Sequence, residues 1–221
     1  MYKLVKEPKI HNYTDAEFIT YLDAVETLSE GMYNYSLKYM KLKLVKEGKD
    51  PFSVLSSVKH TGSHKGQFGY YFRYTNLRNV LILCRKHEIE SIIEVGCGLG
   101  IVGQVLCDIG LKYKGIEIEE DLVKSGCLYT PRIVCGDIFD QKYRFYRGYK
   151  AVYFWECFSD AILNLKFYEH LKKYVPKETF IFHVPSGEGL TTFFRNGNIF
   201  KYLGTEGKYV SGYVDVYLKV K

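Results

Sequence analysis

The sequence predicts an α/β fold: a mostly parallel, seven-stranded sheet that closes with a C-terminal antiparallel hairpin and follows an N-terminal helical extension. Helical and strand patterns alternate from Ser91 onward, as they do when strands and helices are stacked in layers. The strand candidates are continuous apolar runs, which suit strands buried on both faces of a parallel sheet. The last two candidates, 200–203 and 213–220, are separated by a glycine-rich stretch and favour a hairpin.

The N-terminal third has helical patterns only. Thr14-Asp-Ala-Glu17 is a capping box followed by apolar residues at helical spacing, so a helix begins there. A second helix is predicted over about 33–47, a glycine-containing loop over 60–69, and a third helix over about 74–87.

The remaining elements follow from apolar runs and their turn residues. Strands are predicted over 91–95, 113–118, 132–134, 151–155 and 179–184. Helices are predicted over about 101–109, from near 120, and over about 161–173.

Composition restricts the class of protein. The apolar fraction of 47% is typical of a globular chain, and the net charge of +6 permits an acidic partner without demanding one. The sequence has no uninterrupted apolar run long enough for a membrane helix and its first residues do not resemble a signal peptide, so we expect a cytoplasmic protein. The six scattered cysteines form no CxxC pair, so neither a disulfide framework nor a metal site is expected.

The segment from Glu94 to Gly100 is the most informative one. A strand enters a turn that contains Gly96, Gly98 and Gly100, and a helix follows. Glycine allows a ligand to approach the backbone, and the helix N-terminus offers amide donors to an anionic group. A glycine pattern of this kind is weak evidence by itself, so its neighbours decide its meaning.

Two further acids follow the next two predicted strands. Glu117 ends the second strand, where a carboxylate can accept the ribose hydroxyls of a nucleoside. Asp137 follows the third strand in the segment Cys135-Gly-Asp-Ile-Phe-Asp140. Because ligands of open α/β sheets bind at the carboxyl ends of strands, we expect these acids and the glycine turn to face one ligand.

Together these motifs resemble class I, Rossmann-like S-adenosylmethionine (SAM)-dependent methyltransferases over about residues 74–221. The resemblance implies SAM as the cofactor, with Glu94, Gly96, Gly98 and Gly100 on its methionine side and Glu117 on its ribose. It implies that Asp137 faces the adenine amino group, that Ile138 packs on the ring, and that Trp155 and Glu156 lie beside the transferred methyl as catalytic residues. Residues 74–221 would then form the SAM-binding catalytic domain. Residues 1–73 are predicted to be an N-terminal helical extension with a candidate lid loop over 60–69, whose closure over the site the sequence leaves open.

A nicotinamide or flavin dinucleotide is the rival ligand. Residues 98–103 match GxGxxG, but this register begins three residues past the predicted strand end. Glu94 also stands where a dinucleotide fold prefers an apolar residue, and the C-terminal hairpin favours a methyltransferase.

The sequence is less explicit about the methyl acceptor. The predicted fourth strand ends in Trp155-Glu-Cys-Phe158, which is neither the (Asp/Asn)-Pro-Pro-(Tyr/Phe) element of nucleic-acid amine methyltransferases nor a Pro-Cys nucleophile. It is loosely similar to protein-lysine methyltransferases, so a protein side-chain amine is favoured: Glu156 would orient the amine, and Trp155 and Phe158 would wall its channel.

Other acceptors and roles stay open. The segment 141–150 interleaves basic and aromatic residues near the expected adenine end, which suits RNA or DNA but also a solvated connection packed by its aromatics. A small-molecule acceptor and a non-catalytic nucleotide-binding protein are further alternatives, and His60 or His64 could act as a base.

Overall fold

The computed structural model describes residues 10–25, 74–98, 100–126, 132–155, 157–158, 160–185, 189–208 and 212–221. The strands are β1 (Ser91–Val95), β2 (Lys112–Glu117), β3 (Ile133–Cys135), β4 (Ala151–Trp155), β5 (Phe180–Val184), β6 (Phe200–Lys208) and β7 (Gly212–Lys219). They form one sheet in the order β3-β2-β1-β4-β5-β7-β6. β1 to β5 are parallel, and β7 is antiparallel to both β5 and β6. The predicted mostly parallel sheet with a closing hairpin is confirmed.

The helices alternate with the strands. Residues 15–25 form α1, followed by α2 (Tyr74–Lys86), α3 (Ile101–Asp108), α4 (Glu120–Gly126), α5 (Tyr143–Tyr146), α6 (Ala161–Tyr174) and α7 (Gly189–Asn196). The sequence did not predict α5 or α7. α5 is a single turn, and α7 is rich in threonine and phenylalanine, which have low helix propensity. Burial of Leu190 and Phe194 against the sheet stabilises α7 instead.

The first hairpin strand is longer than predicted. β6 continues to Lys208 through Gly204 and Gly207, both with positive φ, and its register with β7 shifts between Tyr202 and Gly204. A bulge therefore lets a glycine-containing segment stay paired where the sequence predicted a connection.

The N-terminal residues pack on the main domain. The capping box forms as predicted, because the Thr14 amide donates to Glu17 Oε2 at 2.8 Å and the Glu17 amide donates to Thr14 Oγ1 at 3.3 Å. Phe18 and Leu22 of α1 are buried in the same core as α2, and Arg85 donates to the Tyr13 carbonyl at 2.8 Å. The predicted helix over 33–47 and loop over 60–69, including His60 and His64, lie outside the described residues.

Two apolar layers cover the two faces of the sheet. One contains residues of α1, α2 and α3, and the other contains residues of α5, α6 and α7. The second layer is dominated by aromatic rings, such as Phe154, Phe167, Phe194 and Tyr217. The central parallel strands β1 and β4 are therefore buried on both faces, and their carboxyl ends meet at one edge of the sheet. No helix among the described residues is long and apolar enough to cross a membrane.

Candidate cofactor site at the carboxyl edge of the sheet

The glycine turn that follows β1 requires glycine at three positions. Gly96, Gly98 and Gly100 have φ angles of 70°, 53° and 71°, in the left-handed region that other residues rarely adopt. The amides of Gly96 and Cys97 donate to the Ile116 carbonyl at 2.9 and 3.2 Å. The turn is therefore fastened to the end of β2, and Gly100 then caps α3.

The two sides of this turn have different surroundings among the described residues. A Cβ atom built on Gly98 would meet no atom of the described residues within 4 Å, whereas one built on Gly96 would meet Cys157 Sγ at 3.3 Å. The described residues therefore pack against the Gly96 side and leave free space beside Gly98. α3 begins directly after the turn, and the N-terminus of a helix favours an anionic group. This cradle fits the carboxylate end of a nucleoside-linked amino acid.

Glu117 connects the end of β2 to the glycine turn. Its Oε2 accepts a hydrogen bond from the Gly98 amide at 2.9 Å, and its Oε1 accepts from the amides of Ile118 and Glu119 at 2.8 and 3.1 Å. The side chain is buried, and burial raises its pKa although the three amides counteract this effect. A carboxylate has about four acceptor positions, so the contacts with the described residues leave one on Oε2 that suits a ligand hydroxyl.

Glu94 lies deeper, in the middle of the sheet. In the register of β1 it stands between Gly115 of β2 and Tyr153 of β4. Its Oε2 accepts a hydrogen bond from the Tyr113 hydroxyl at 2.7 Å. Burial raises the pKa of Glu94 to about 8, the Tyr113 bond counteracts this rise, and the nearby Glu117 carboxyl adds to it.

Asp137 and Ile138 follow β3 at the same edge. One Asp137 oxygen accepts from the Phe139 amide at 2.8 Å, so this residue caps the short 3-10 turn Ile138–Asp140. Asp137 is half-buried, whereas Ile138 is buried in the aromatic layer. The cap holds Asp137 in place, and its contact with adenine stays a prediction.

The end of β4 lies beside the glycine turn. Trp155 is half-buried, and the Cys157 thiol donates to the Val95 carbonyl at 3.3 Å. Phe158 is buried against Phe139 and Phe167, with ring centroids at 5.4 Å in both cases, so it packs in the core rather than along a channel. Glu156 lies outside the described residues.

Sequence reasoning missed two contributors to this site. Tyr113 was predicted only as part of a strand, and Cys157 was weighed only as a nucleophile. The tyrosine could have been suspected, because an extended chain places alternate residues of β2 on the face that carries Glu94. No sequence signal indicates that Cys157 backs Gly96, since the contact joins residues 61 positions apart.

Known structures with the same fold support the comparison with methyltransferases. The chain matches a TehB-like SAM-dependent methyltransferase from Corynebacterium glutamicum with a TM-score of 0.50 and 13% identity, covering 88% of this chain and 99% of the other. It also matches the magnesium protoporphyrin IX methyltransferase from Synechocystis, solved with bound SAM, with a TM-score of 0.50 and 13% identity, covering 66% of this chain and 78% of the other. No protein-family model matches the sequence, and no curated protein matches it significantly. The chain thus has the class I, Rossmann-like fold of SAM-dependent methyltransferases.

Proposed function

We propose that this protein is a SAM-dependent methyltransferase. The observation that carries the proposal is the hydrogen bond between Glu117 and the Gly98 amide. It joins the acid proposed to bind the ribose to a turn beside which the described residues leave free space. In this proposal Glu94, Gly96, Gly98 and Gly100 hold the methionine part of SAM. Glu117 accepts from the ribose, and Asp137 and Ile138 hold the adenine.

The acceptor is proposed to be a protein side-chain amine. SAM would supply an electrophilic methyl group, so the protein has mainly to align the acceptor with it and to remove a proton. Trp155 supports this proposal, because it ends β4 half-buried beside the glycine turn and its ring can contact an alkylammonium group. Glu156 is proposed to orient or deprotonate the amine.

Cofactor binding is tested by calorimetry with SAM and S-adenosylhomocysteine on the purified protein. We expect micromolar binding of SAM and its loss in Gly98→Arg, because the new side chain would extend into this space beside the turn. Gly98→Ala is the matched control: it carries the same left-handed strain without the bulk and should retain most of the affinity. Glu117→Ala should also lose binding. Absence of binding to the unaltered protein would refute the proposed function.

The acceptor is tested by incubating the protein and labelled SAM with a lysate of its host, followed by protease or nuclease. An amine acceptor on a protein predicts that protease removes the macromolecular label. Label removed by nuclease alone would contradict the amine proposal. Binding of SAM without any transfer would favour a non-catalytic role.

A nucleic-acid acceptor is the second candidate, and a group of cations around Tyr149 favours it. Lys112 Nζ and Lys114 Nζ lie 4.4 and 5.0 Å from the centre of its ring, and Arg132 is close enough to influence its ionisation. Arg147 and Lys150 are exposed beside it. None of these five cations forms an ion pair within the described part of the chain. Unpaired cations beside an aromatic ring suit a phosphate backbone.

The structure changes the expected position of this surface. Phe145 and Tyr146 of the same segment are buried, so they pack the connection and are not available to stack on bases. Lys112 donates to the Gly148 carbonyl at 3.1 Å, at the amino end of β2. Glu117 lies at the other end of that strand, about 17 Å away at roughly 3.3 Å per residue. A nucleic acid held here would therefore have to extend toward the cofactor site.

Fluorescence anisotropy with a labelled single-stranded oligonucleotide tests this candidate. Arg147→Glu/Lys150→Glu should weaken binding and reduce the slope of log K against log salt by about 0.7 per lost phosphate contact. Lys177→Glu/Lys201→Glu is the control, since it makes the same charge change on exposed residues near β5 and β6. Equal effects of the two variants would indicate unspecific charge attraction and contradict a nucleic-acid site around Tyr149.

A further inference from the structure

The Tyr113 side chain occupies a space that two glycines leave open. A Cβ atom on Gly103 of α3 would overlap the tyrosine ring, and one on Gly115 of β2 would lie 2.5 Å from its hydroxyl. The ring is completely buried, and its hydroxyl donates to Glu94 Oε2 at 2.7 Å. Three elements, β1, β2 and α3, thus combine to bring a single phenol to one carboxyl group.

Among the described residues, the titratable groups that face Glu94 include no cation. They are Tyr113 and Glu117 from β2, Cys97 from the glycine turn and Tyr153 from β4. The Cys97 thiol also contacts the Tyr113 hydroxyl, and burial raises the pKa of this thiol, so it stays protonated and can donate to that oxygen. The hydroxyl proton is then directed at Glu94. Within the described residues, Tyr113 is the side chain that stabilises the ionised form of Glu94.

A buried carboxyl without a cation favours its neutral form, and the pKa of Glu94 is raised to about 8 even with this hydrogen bond. A ligand ammonium group would supply the missing positive charge. The amino group of SAM or S-adenosylhomocysteine, on the methionine side of the proposed site, has this chemistry.

We propose that Tyr113 is a positioning residue that favours the ionised form of Glu94 and orients its carboxylate toward the amino group of the cofactor. The inference rests on the proposed function, because it assigns Glu94 to the methionine side of SAM. It adds a specific role for a residue that would itself touch no cofactor atom. It also explains why glycine is needed at 103 and 115, which are not part of the glycine turn.

The test measures the affinity for S-adenosylhomocysteine by calorimetry between pH 6 and 9, in the unaltered protein and in Tyr113→Phe. Removal of the donor raises the pKa of Glu94 further, so the pH range over which affinity increases should move upward. At pH 7 the affinity should fall about tenfold, the effect of a shift of one pKa unit. The ammonium group of the ligand titrates identically in the experiments with the unaltered protein and with Tyr113→Phe. The difference between the two profiles of affinity against pH therefore comes from a titrating group of the protein.

Methylthioadenosine is the control ligand, because it keeps the nucleoside and lacks the amino-acid group. Its affinity should not change in Tyr113→Phe at any pH if the fold of the site is intact. Glu94→Gln provides a second variant: the pH dependence due to the protein should disappear, and adding Tyr113→Phe should then shift nothing further.

The outcomes separate the two proposals. Binding of S-adenosylhomocysteine to Tyr113→Phe with an unchanged pH profile would overturn the positioning role while supporting the proposed function. An equal loss of affinity for both ligands would assign Tyr113 a merely structural role and also overturn the inference. Failure of the unaltered protein to bind either ligand would instead reject the proposed function itself.

Discussion

At the scale of single residues, Gly103 shows how a tertiary contact can reverse a local rule. Replacing a glycine inside a helix by alanine usually stabilises a protein by about 1 kcal/mol, because glycine has more backbone freedom to lose. Gly103 lies within α3, but its missing Cβ leaves space for the Tyr113 ring. The residue is therefore needed for packing and not for backbone conformation.

We expect Gly103→Ala to lower the free energy of unfolding by about 1–3 kcal/mol, the usual effect of overpacking a buried site. In a Tyr113→Ala background the ring is gone, so the same substitution should be neutral or stabilising. Urea unfolding of the four proteins measures both effects in a double-mutant cycle. If Gly103→Ala had the same effect in both backgrounds, the steric explanation would be wrong.

At the scale of elements, the C-terminus of α6 is held by a lysine from the last strand. The ammonium group of Lys219 in β7 donates to the carbonyl oxygens of Leu171, Lys172 and Val175. Helix ends leave such carbonyls without partners in the helix, and a cation there also interacts favourably with the helix dipole. Lys219 is buried, and burial lowers its pKa. This contact connects α6 to the hairpin.

Lys219→Met should therefore lower the free energy of unfolding by about 2 kcal/mol or more, because buried carbonyl groups lose a charged donor. Lys201→Met, on the exposed side of β6, should change it by less than about 0.5 kcal/mol. Chemical denaturation of both variants and of the unaltered protein measures these changes in the free energy of unfolding. A similar small effect of the two substitutions would show that the Lys219 cap contributes little.

At the scale of the whole molecule, a neutral histidine makes stability sensitive to acid. His183 of β5 is completely buried, its ring lies 5.0 Å from that of Phe154, and neither ring nitrogen has a hydrogen-bond partner among the described residues. Burial lowers the pKa of His183 to about 3, far below the value of about 6.5 in an unfolded chain. Between these two pH values the unfolded state binds a proton on His183 that the folded state does not bind. The contribution of the neutral His183 ring to the free energy of unfolding is therefore fully present above about pH 6.5, and it is lost as the pH falls toward 3.

His183→Phe should remove this contribution. Between pH 6.5 and 4 we expect the slope of unfolding free energy against pH to decrease by up to about 1.4 kcal/mol per pH unit, the value for one proton. The slope should not vanish, because burial also lowers the pKa of His170, to about 4. Denaturant unfolding of both proteins across this range measures the slope. Above pH 7 the two curves of unfolding free energy against pH should run parallel. Parallel curves in acid as well would show that His183 is protonated in the folded state.

Local patterns were sufficient for much of the fold. The bounds of β1 and β4 were predicted correctly, since β1 ends directly before the glycine turn and β4 is an uninterrupted apolar run. α7 could not be predicted, because packing of Leu190 and Phe194 compensates for its poor helix propensity. The same distinction applies to the site: the spacing of Gly98 and Glu117 indicates a shared ligand, but the hydrogen bond between them requires the pairing of β1 with β2.

The sequence by itself determined the alternation of strands and helices, the glycine turn, the acid that ends β2 and the acid that follows β3. These features depend on local periodicity and on residues that a turn or a strand end requires. Only the tertiary structure decided the strand order, the contact of Tyr113 with Glu94 and the packing of Cys157 behind Gly96. These depend on which chemically compatible groups the folded sheet brings together over long sequence separations, and a linear pattern does not encode such distances.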